Sequence, residues 1–152
     1  MAKVIALCGK VCAGKSSYAR ALRDRLPAVI LNTDDITMMM PEAHDTLYPL
    51  VRNYMFAKAV EIIRAGANVV LDFGFWSRAD RAFIRRYFAD NGVEMEFHYL
   101  PISDEDWDRN IADRNERVRR GEVQSFIVDK YLKEKCLRLF EEPSPEEMDR
   151  IL

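Results

Sequence analysis

Between Gly9 and Ser16 the chain reads Gly-Lys-Val-Cys-Ala-Gly-Lys-Ser, two glycines separated by four residues and followed at once by a lysine and a hydroxyl. The apolar run Val4 to Cys8 stands before this loop. The segment 16–26 after it carries Tyr18, Ala19, Leu22 and Leu26 on an imperfect helical face. A buried strand that runs through a glycine loop into a helix leaves few folds open. The glycines let successive backbone N–H groups turn inward, and the helix N-terminus adds its partial positive charge, so the loop is shaped to hold phosphate oxygens. Gly9, Lys10, Val11, Cys12, Ala13, Gly14, Lys15, Ser16 and Ser17 are therefore the candidate nucleotide-binding residues. In such a loop the lysine, here Lys15, reaches the β and γ phosphates and the Ser16 hydroxyl holds Mg²⁺.

The remainder alternates short apolar runs with amphipathic stretches. Strands are predicted at 28–31, 67–72 and 93–100, the last near a sheet edge because its alternation is only partial. Helices are predicted at about 48–65, from Ser77 to Asn91, from Ser103 to Gly121, at 123–140 and at 145–152, where Ser144, Pro145 and Glu147 make a capping signature. Residues 36–47 carry no clear pattern. Strands separated by helices imply an α/β, three-layer α/β/α P-loop NTPase fold on a mainly parallel sheet of about four to five strands. A single domain over 1–152 is expected, with 103–121 as a helical lid.

Composition narrows the function classes. With 152 residues, 49% of them hydrophobic, the chain can bury one core. A net charge of -2 gives no global pull toward nucleic acid or anionic lipid. Three cysteines and two histidines are too few and too scattered for a disulfide framework or a protein-built metal cage. No apolar run is long enough to span a bilayer. A cytoplasmic protein without a membrane partner, monomer or homodimer, is the expectation.

Two further features favour a kinase over a nucleotide switch. No Asn/Thr-Lys-x-Asp sequence of the guanine-selecting type is present. The second strand ends in Asn32-Thr33-Asp34-Asp35, and in a parallel sheet that end faces the ligand crevice. A carboxylate there can accept the proton of an attacking hydroxyl. Either Asp34 or Asp35 suits that role, the other being placed for substrate or, for Asp34, for Mg²⁺ through water. Asp72, at the end of the third strand, is expected in the same crevice, on Mg²⁺ or on the acceptor. Arg109, Arg114, Arg117, Arg119 and Arg120 crowd the lid helix and can offset charge on a transferring phosphoryl group. Arg78 and Arg81 lie at the crevice end of the preceding helix. Met38, Phe75 and Trp76 are candidate walls of an acceptor pocket.

CGKVCAGKSSYAR, LNTDDI, VVLDFGFWSRADR, DRNIADRNERV and FEEPSPEE, in this order and spacing, resemble the small P-loop kinases of the predicted ATP-kinase type. That group includes chloramphenicol phosphotransferase, the zeta toxins and the kinase domain of phage polynucleotide 5′-kinase. The resemblance implies ATP and Mg²⁺ as cofactors, Asp35 as general base, Lys15 as phosphate clamp, Ser16 as metal ligand, and Arg109 and Arg114 as lid arginines. It also implies that an arginine three residues past the base would mark a polynucleotide kinase. Met38 occupies that position. A small organic hydroxyl compound is thus the expected acceptor. A polynucleotide or nucleoside 5′-hydroxyl, and a nucleotide-binding regulatory or toxin-like role without turnover, are the alternatives.

Overall fold

In the computed structural model, which describes residues 1–152, five strands form one sheet in the order β2-β3-β1-β4-β5. β1 spans Val4–Cys8, β2 Ala28–Leu31, β3 Asn68–Gly74, β4 Met95–Tyr99 and β5 Arg150–Ile151. Every pairing is parallel. The helices are α1 (Lys15–Arg25), α2 (Asp34–Thr37), α3 (His44–Arg64), α4 (Arg78–Asp90), α5 (Asp104–Arg119) and α6 (Lys130–Leu139). This is the three-layer α/β/α architecture of P-loop NTPases. No helix is long and apolar enough to cross a membrane.

Alternation along the strands decides which face each residue serves. Val4, Ala6 and Cys8 of β1, with Val69 and Leu71 of β3 and Phe97 and Tyr99 of β4, meet Phe56 and Ala59 of α3 and Ile84 and Phe88 of α4. Ile5, Leu7 and Val70 face the other way, against Ala19 and Leu22 of α1. The chain passes from β1 out to β2 and β3, then returns to the far side for β4. The adjacent ends of β1 and β3 are thus the topological switch point where a parallel sheet opens a crevice.

Local signals and tertiary pairing disagree at the C-terminal end. The helix expected at 145–152 is one 3₁₀ turn, Pro145–Glu147, followed by β5. Its capping box does form. The chain then leaves helical geometry because Asp149 N–H donates to Phe97 O at 3.0 Å and Leu152 N–H to Tyr99 O at 3.0 Å, which completes the hydrogen bonding of β4. β4 consequently lies one strand in from the edge. The helix expected at 123–140 begins only at Lys130, where the Asp129 side chain caps it. Ahead of it, both backbone groups of Val128 bond the Asn115 side chain, at 2.8 and 2.9 Å, which ties the end of the non-helical segment 121–129 to α5. α3 starts at His44, four residues before the expected boundary, with Pro49 tolerated early in the helix.

Candidate active site

The loop after β1 has the geometry its glycines require. A Cβ on Gly9 would lie 3.0 Å from Leu100 O, and Gly14 has φ 95°, in the left-handed region. α1 begins directly after Gly14 with no side-chain cap and no acidic residue in its first turn. Its leading N–H groups are thereby left for an anion. Lys15 Nζ folds back onto the loop, donating to Lys10 O at 2.6 Å and Gly9 O at 3.1 Å. Burial pushes its pKa down, against the pull of Asp72.

Strand alternation then places the acid. Asp72 follows Val70 onto the α1 face, so its buried carboxylate meets the first turn of that helix. Ser16 Oγ donates to Asp72 Oδ2 at 2.7 Å, and Asn32 Nδ2 donates to the same oxygen at 3.1 Å. Asn32 also orders the next residues, because its Oδ1 accepts from Asp34 N–H at 2.9 Å. The carboxylate on Ser16 is that of Asp72, one of the two aspartates, with Asp34, that the sequence offers to Mg²⁺. A hydroxyl beside a carboxylate is a hard-oxygen pair that fits Mg²⁺, an ion that takes one or two protein ligands and leaves the rest to phosphate and water. No group of three or more histidine, cysteine, aspartate or glutamate side chains offers a protein-only cage.

α2 is a single turn, and it separates the two aspartates. Asp34 is half-buried and Asp35 is exposed. Burial pushes the Asp34 carboxyl up, and Arg114 first, then His44, pull it back. Asp72 is also among its charged neighbours. Three residues beyond Asp34 stands Thr37, fully buried, its hydroxyl without a partner.

From the other side α5 grips the loop. Trp107 Nε1–H donates to Val11 O at 2.7 Å, Asn110 Nδ2 donates to Cys12 O at 3.0 Å, and Arg114 Nη1 reaches Cys12 Sγ at 3.5 Å. Positions 107, 110 and 114 form one helical stripe. Lys10 Nζ sits 4.7 Å from the Trp107 ring centroid. Arg114 also bonds Ser125 Oγ, while its Nε is buried without a partner. Arg109 falls on the opposite side of the helix, 66% exposed, paired with Asp106 at 3.1 Å and Glu105 at 3.5 Å. Arg117, Arg119 and Arg120 pair with Glu122 or Glu116 on the surface.

The remaining sequence candidates lie elsewhere. Phe75 is a core residue, 5.5 Å from Phe97 and 5.6 Å from Phe73 between ring centroids. Trp76 packs under the loop against the Trp107 cluster. Arg78 is exposed, and its backbone N–H donates to Glu141. Met38 is half-buried beside α2. The sequence reading passed over Asn32, Trp107 and Asn110. The 107–110–114 stripe was the one available signal for the last two.

The sequence profile described as AAA domain, AAA_33, matches residues 4–136. The chain belongs to the AAA_33 family. No curated protein matches it. Among solved structures, this AAA_33 chain is similar to the Mycobacterium tuberculosis APS kinase CysC (18% identity, TM-score 0.63, covering 99% of this chain and 87% of that one). It is also similar to a gluconokinase from Sinorhizobium meliloti 1021 (18%, TM-score 0.66, 99% and 80%). A chain of the Pnkp1/Rnl/Hen1 RNA repair complex shares the fold as well (19%, TM-score 0.71, 91% and 43%). At these identities the likeness establishes the fold.

Proposed function

We propose that the protein is a Mg²⁺-dependent kinase that moves the γ-phosphoryl group of ATP to the hydroxyl of a small organic acceptor. The observation that carries this reading is the meeting of the Ser16–Asp72 pair, the loop lysine and the half-buried Asp34 at one crevice. Lys15 leaves the loop carbonyls for the phosphates, and the N–H groups at the start of α1 hold them. Ser16, with Asp72 behind it, would hold Mg²⁺, which would supply charge neutralisation at the phosphates. Asp34 orients the acceptor hydroxyl and takes its proton. The acceptor O–P bond forms as the bond from the γ-phosphorus to the ADP oxygen breaks. Arg114, already at the loop, turns toward the phosphates within a lid formed by 103–121.

Asp34 takes the base role in place of Asp35 because it alone of the pair is drawn into the crevice beside Arg114. A small acceptor is favoured over a nucleic-acid end because Met38 stands where an arginine would grip an acceptor phosphate, and because the lid arginines Arg109, Arg117, Arg119 and Arg120 lie within 4.0 Å of Asp106, Glu122 or Glu116. The test is an ADP-release assay over a panel of alcohols and 5′-hydroxyl oligonucleotides. Asp34→Asn should lower turnover by about 10²-fold or more while nucleotide binding persists, and Asp35→Asn should change it less than about threefold. The reverse order would return the base role to Asp35, and transfer confined to oligonucleotides would overturn the small-acceptor reading.

A further inference from the structure

On the face of the sheet that carries α1, the helix packs on Ile5, Leu7 and Val70 through Ala19 and Leu22. The same face continues past β1 onto β4 and β5. The parallel register sets Ile5 beside Glu96, Leu7 beside His98, and His98 beside Arg150, so each pair points to one side of the sheet. A cavity of about 420 Å³ opens there along the flank of α1. Ile5, Leu22 and Leu26 are its apolar floor, and Lys3, Arg25, Glu96, His98, Asp149 and Arg150 complete the wall. Lys3 and Ile5 stand at the start of β1, and Arg25 and Leu26 at the end of α1. The cavity thus lies at the opposite end of both elements from the phosphate loop.

The acids of this wall are engaged and two of its arginines are not. Glu96 Oε1 accepts from Lys3 Nζ, and Glu96 Oε2 lies 3.0 Å from His98 Nε2. The other ring nitrogen of the buried His98 lies 2.8 Å from the Tyr18 hydroxyl. Asp149 Oδ2 accepts from Phe97 N–H and from Arg85 Nη2, each at 2.8 Å. Arg25 makes one side-chain bond, from Nε to Ala21 O of its own helix at 3.4 Å, and Arg150 makes none. Neither has a carboxylate within 4.0 Å. Lys3, Arg25 and Arg150 therefore face two carboxylates, one of which Arg85 also claims from outside. A guanidinium fork meets phosphate or carboxylate through paired, charge-assisted N–H bonds, so an anion satisfies this surplus. The volume exceeds what an inorganic ion fills and falls within the roughly 300–1,000 Å³ of small-molecule sites. We propose that the cavity is a second binding site, separate from the crevice, for a small organic anion. Its phosphate or carboxylate head meets Arg25 and Arg150, and its apolar body covers Ile5, Leu22 and Leu26.

The test is an amide ¹H–¹⁵N NMR titration with the crevice already saturated by Mg²⁺ and a non-hydrolysable ATP analogue. The ligands are phenyl phosphate, benzoate and inorganic phosphate, against benzyl alcohol and benzylamine as neutral and cationic counterparts. The proteins are the wild type, Arg25→Gln, Arg150→Gln and, as a control of equal charge change, Arg138→Gln at an exposed position of α6. The expected result is a saturable shift of the Leu26, Glu96 and Arg150 amides by phenyl phosphate, benzoate or both, with the amides of Gly14 to Ser16 unmoved. Which of the two acids binds separates a phosphate head from a carboxylate head. Affinity should fall about tenfold in Arg25→Gln and in Arg150→Gln and stay within about twofold in Arg138→Gln. It should also weaken in about 0.5 M salt. Inorganic phosphate should bind more weakly than the organic acids, because it leaves the floor uncovered. No shift with either organic acid, equal binding of benzyl alcohol or benzylamine, or unchanged affinity in both cavity variants would overturn the assignment. Movement of the same amides with protein concentration alone would give this face to a second copy of the chain and overturn it as well.

Discussion

At the scale of single residues, the decisive feature is one position of phase in a four-residue helix. Asp34 and Asp35 are chemically identical neighbours, and the turn 34–37 is too short to show a periodicity that would say which one points inward. Asn32 sets that phase by accepting from Asp34 N–H, a contact that needs β2 already in place. The consequence is electrostatic. Burial raises the Asp34 pKa, and Arg114 is the largest opposing influence. A base must be ionised to accept a proton, so kcat/KM should fall as pH drops through a value above the ordinary carboxylate range of about 4. Arg114→Met removes the opposing cation, so the acid limb should move to higher pH as well as losing height. A limb that stays in place in that variant, measured over pH 4 to 8 or so, would show that another group controls it. Asp35→Asn should leave the limb untouched, since that side chain is exposed.

At the scale of elements, the chain uses Arg81 as a clamp rather than a ligand. It is 1% exposed, donates from Nη1 to Phe75 O at 2.9 Å and Trp76 O at 3.1 Å, and meets Glu147 through Nε at 3.0 Å. The turn after β3, the start of α4 and the C-terminal 3₁₀ turn are thereby tied at one guanidinium. Burial alone would push the Glu147 carboxyl up, but the bonds from Arg81 and from Ser144 N–H outweigh it and hold the pKa below its usual value. A depressed folded pKa means that this stabilisation is present above the unfolded carboxyl's pKa and is lost as pH falls through the lower folded one. Arg81→Met would strand that carboxylate and two carbonyls. It should cost about 3 kcal/mol, hence roughly 10 °C in Tm, with little change in the KM for ATP. A melt within 2 °C or so of wild type would contradict the clamp. The first four strands and the α/β layering were legible because continuous apolar runs separated by amphipathic helices report burial directly. β5 was not, because Ser144 and Glu147 give a local helical signal while the pairing to Phe97 and Tyr99 lies about 50 residues away. The clamp role of Arg81 was not legible for a similar reason: its spacing puts it at the crevice end of α4, and its partner Glu147 lies on the returning C-terminal segment.

At the scale of the whole molecule, the loop is the point where the layers meet. Gly9 N–H bonds Gly74 O, which ties the loop to the end of β3, while Trp107 and Asn110 tie it to α5. Cys136 of α6 belongs to the same buried cluster as Trp107, and Val11 and Cys12 pack against it. A ligand that organises this loop therefore stiffens contacts from β3 to α6, and its binding energy should appear as global stability. With Mg²⁺ and a non-hydrolysable ATP analogue at about 100 times the dissociation constant, stabilisation should be about 2.7 kcal/mol. For a chain of this size that corresponds to roughly 5–10 °C in Tm. The variants divide this shift by role. Lys15→Ala should abolish it, because the phosphates lose the buried cation. Asp72→Asn should remove the part that depends on Mg²⁺, so that EDTA has little further effect. Asp34→Asn should keep the full shift while losing turnover, since its carboxylate serves the acceptor and not the nucleotide. A calorimetric scan of the four proteins with and without EDTA separates these outcomes. Loss of the shift in Asp34→Asn would move that residue from the acceptor side of the crevice to the metal side.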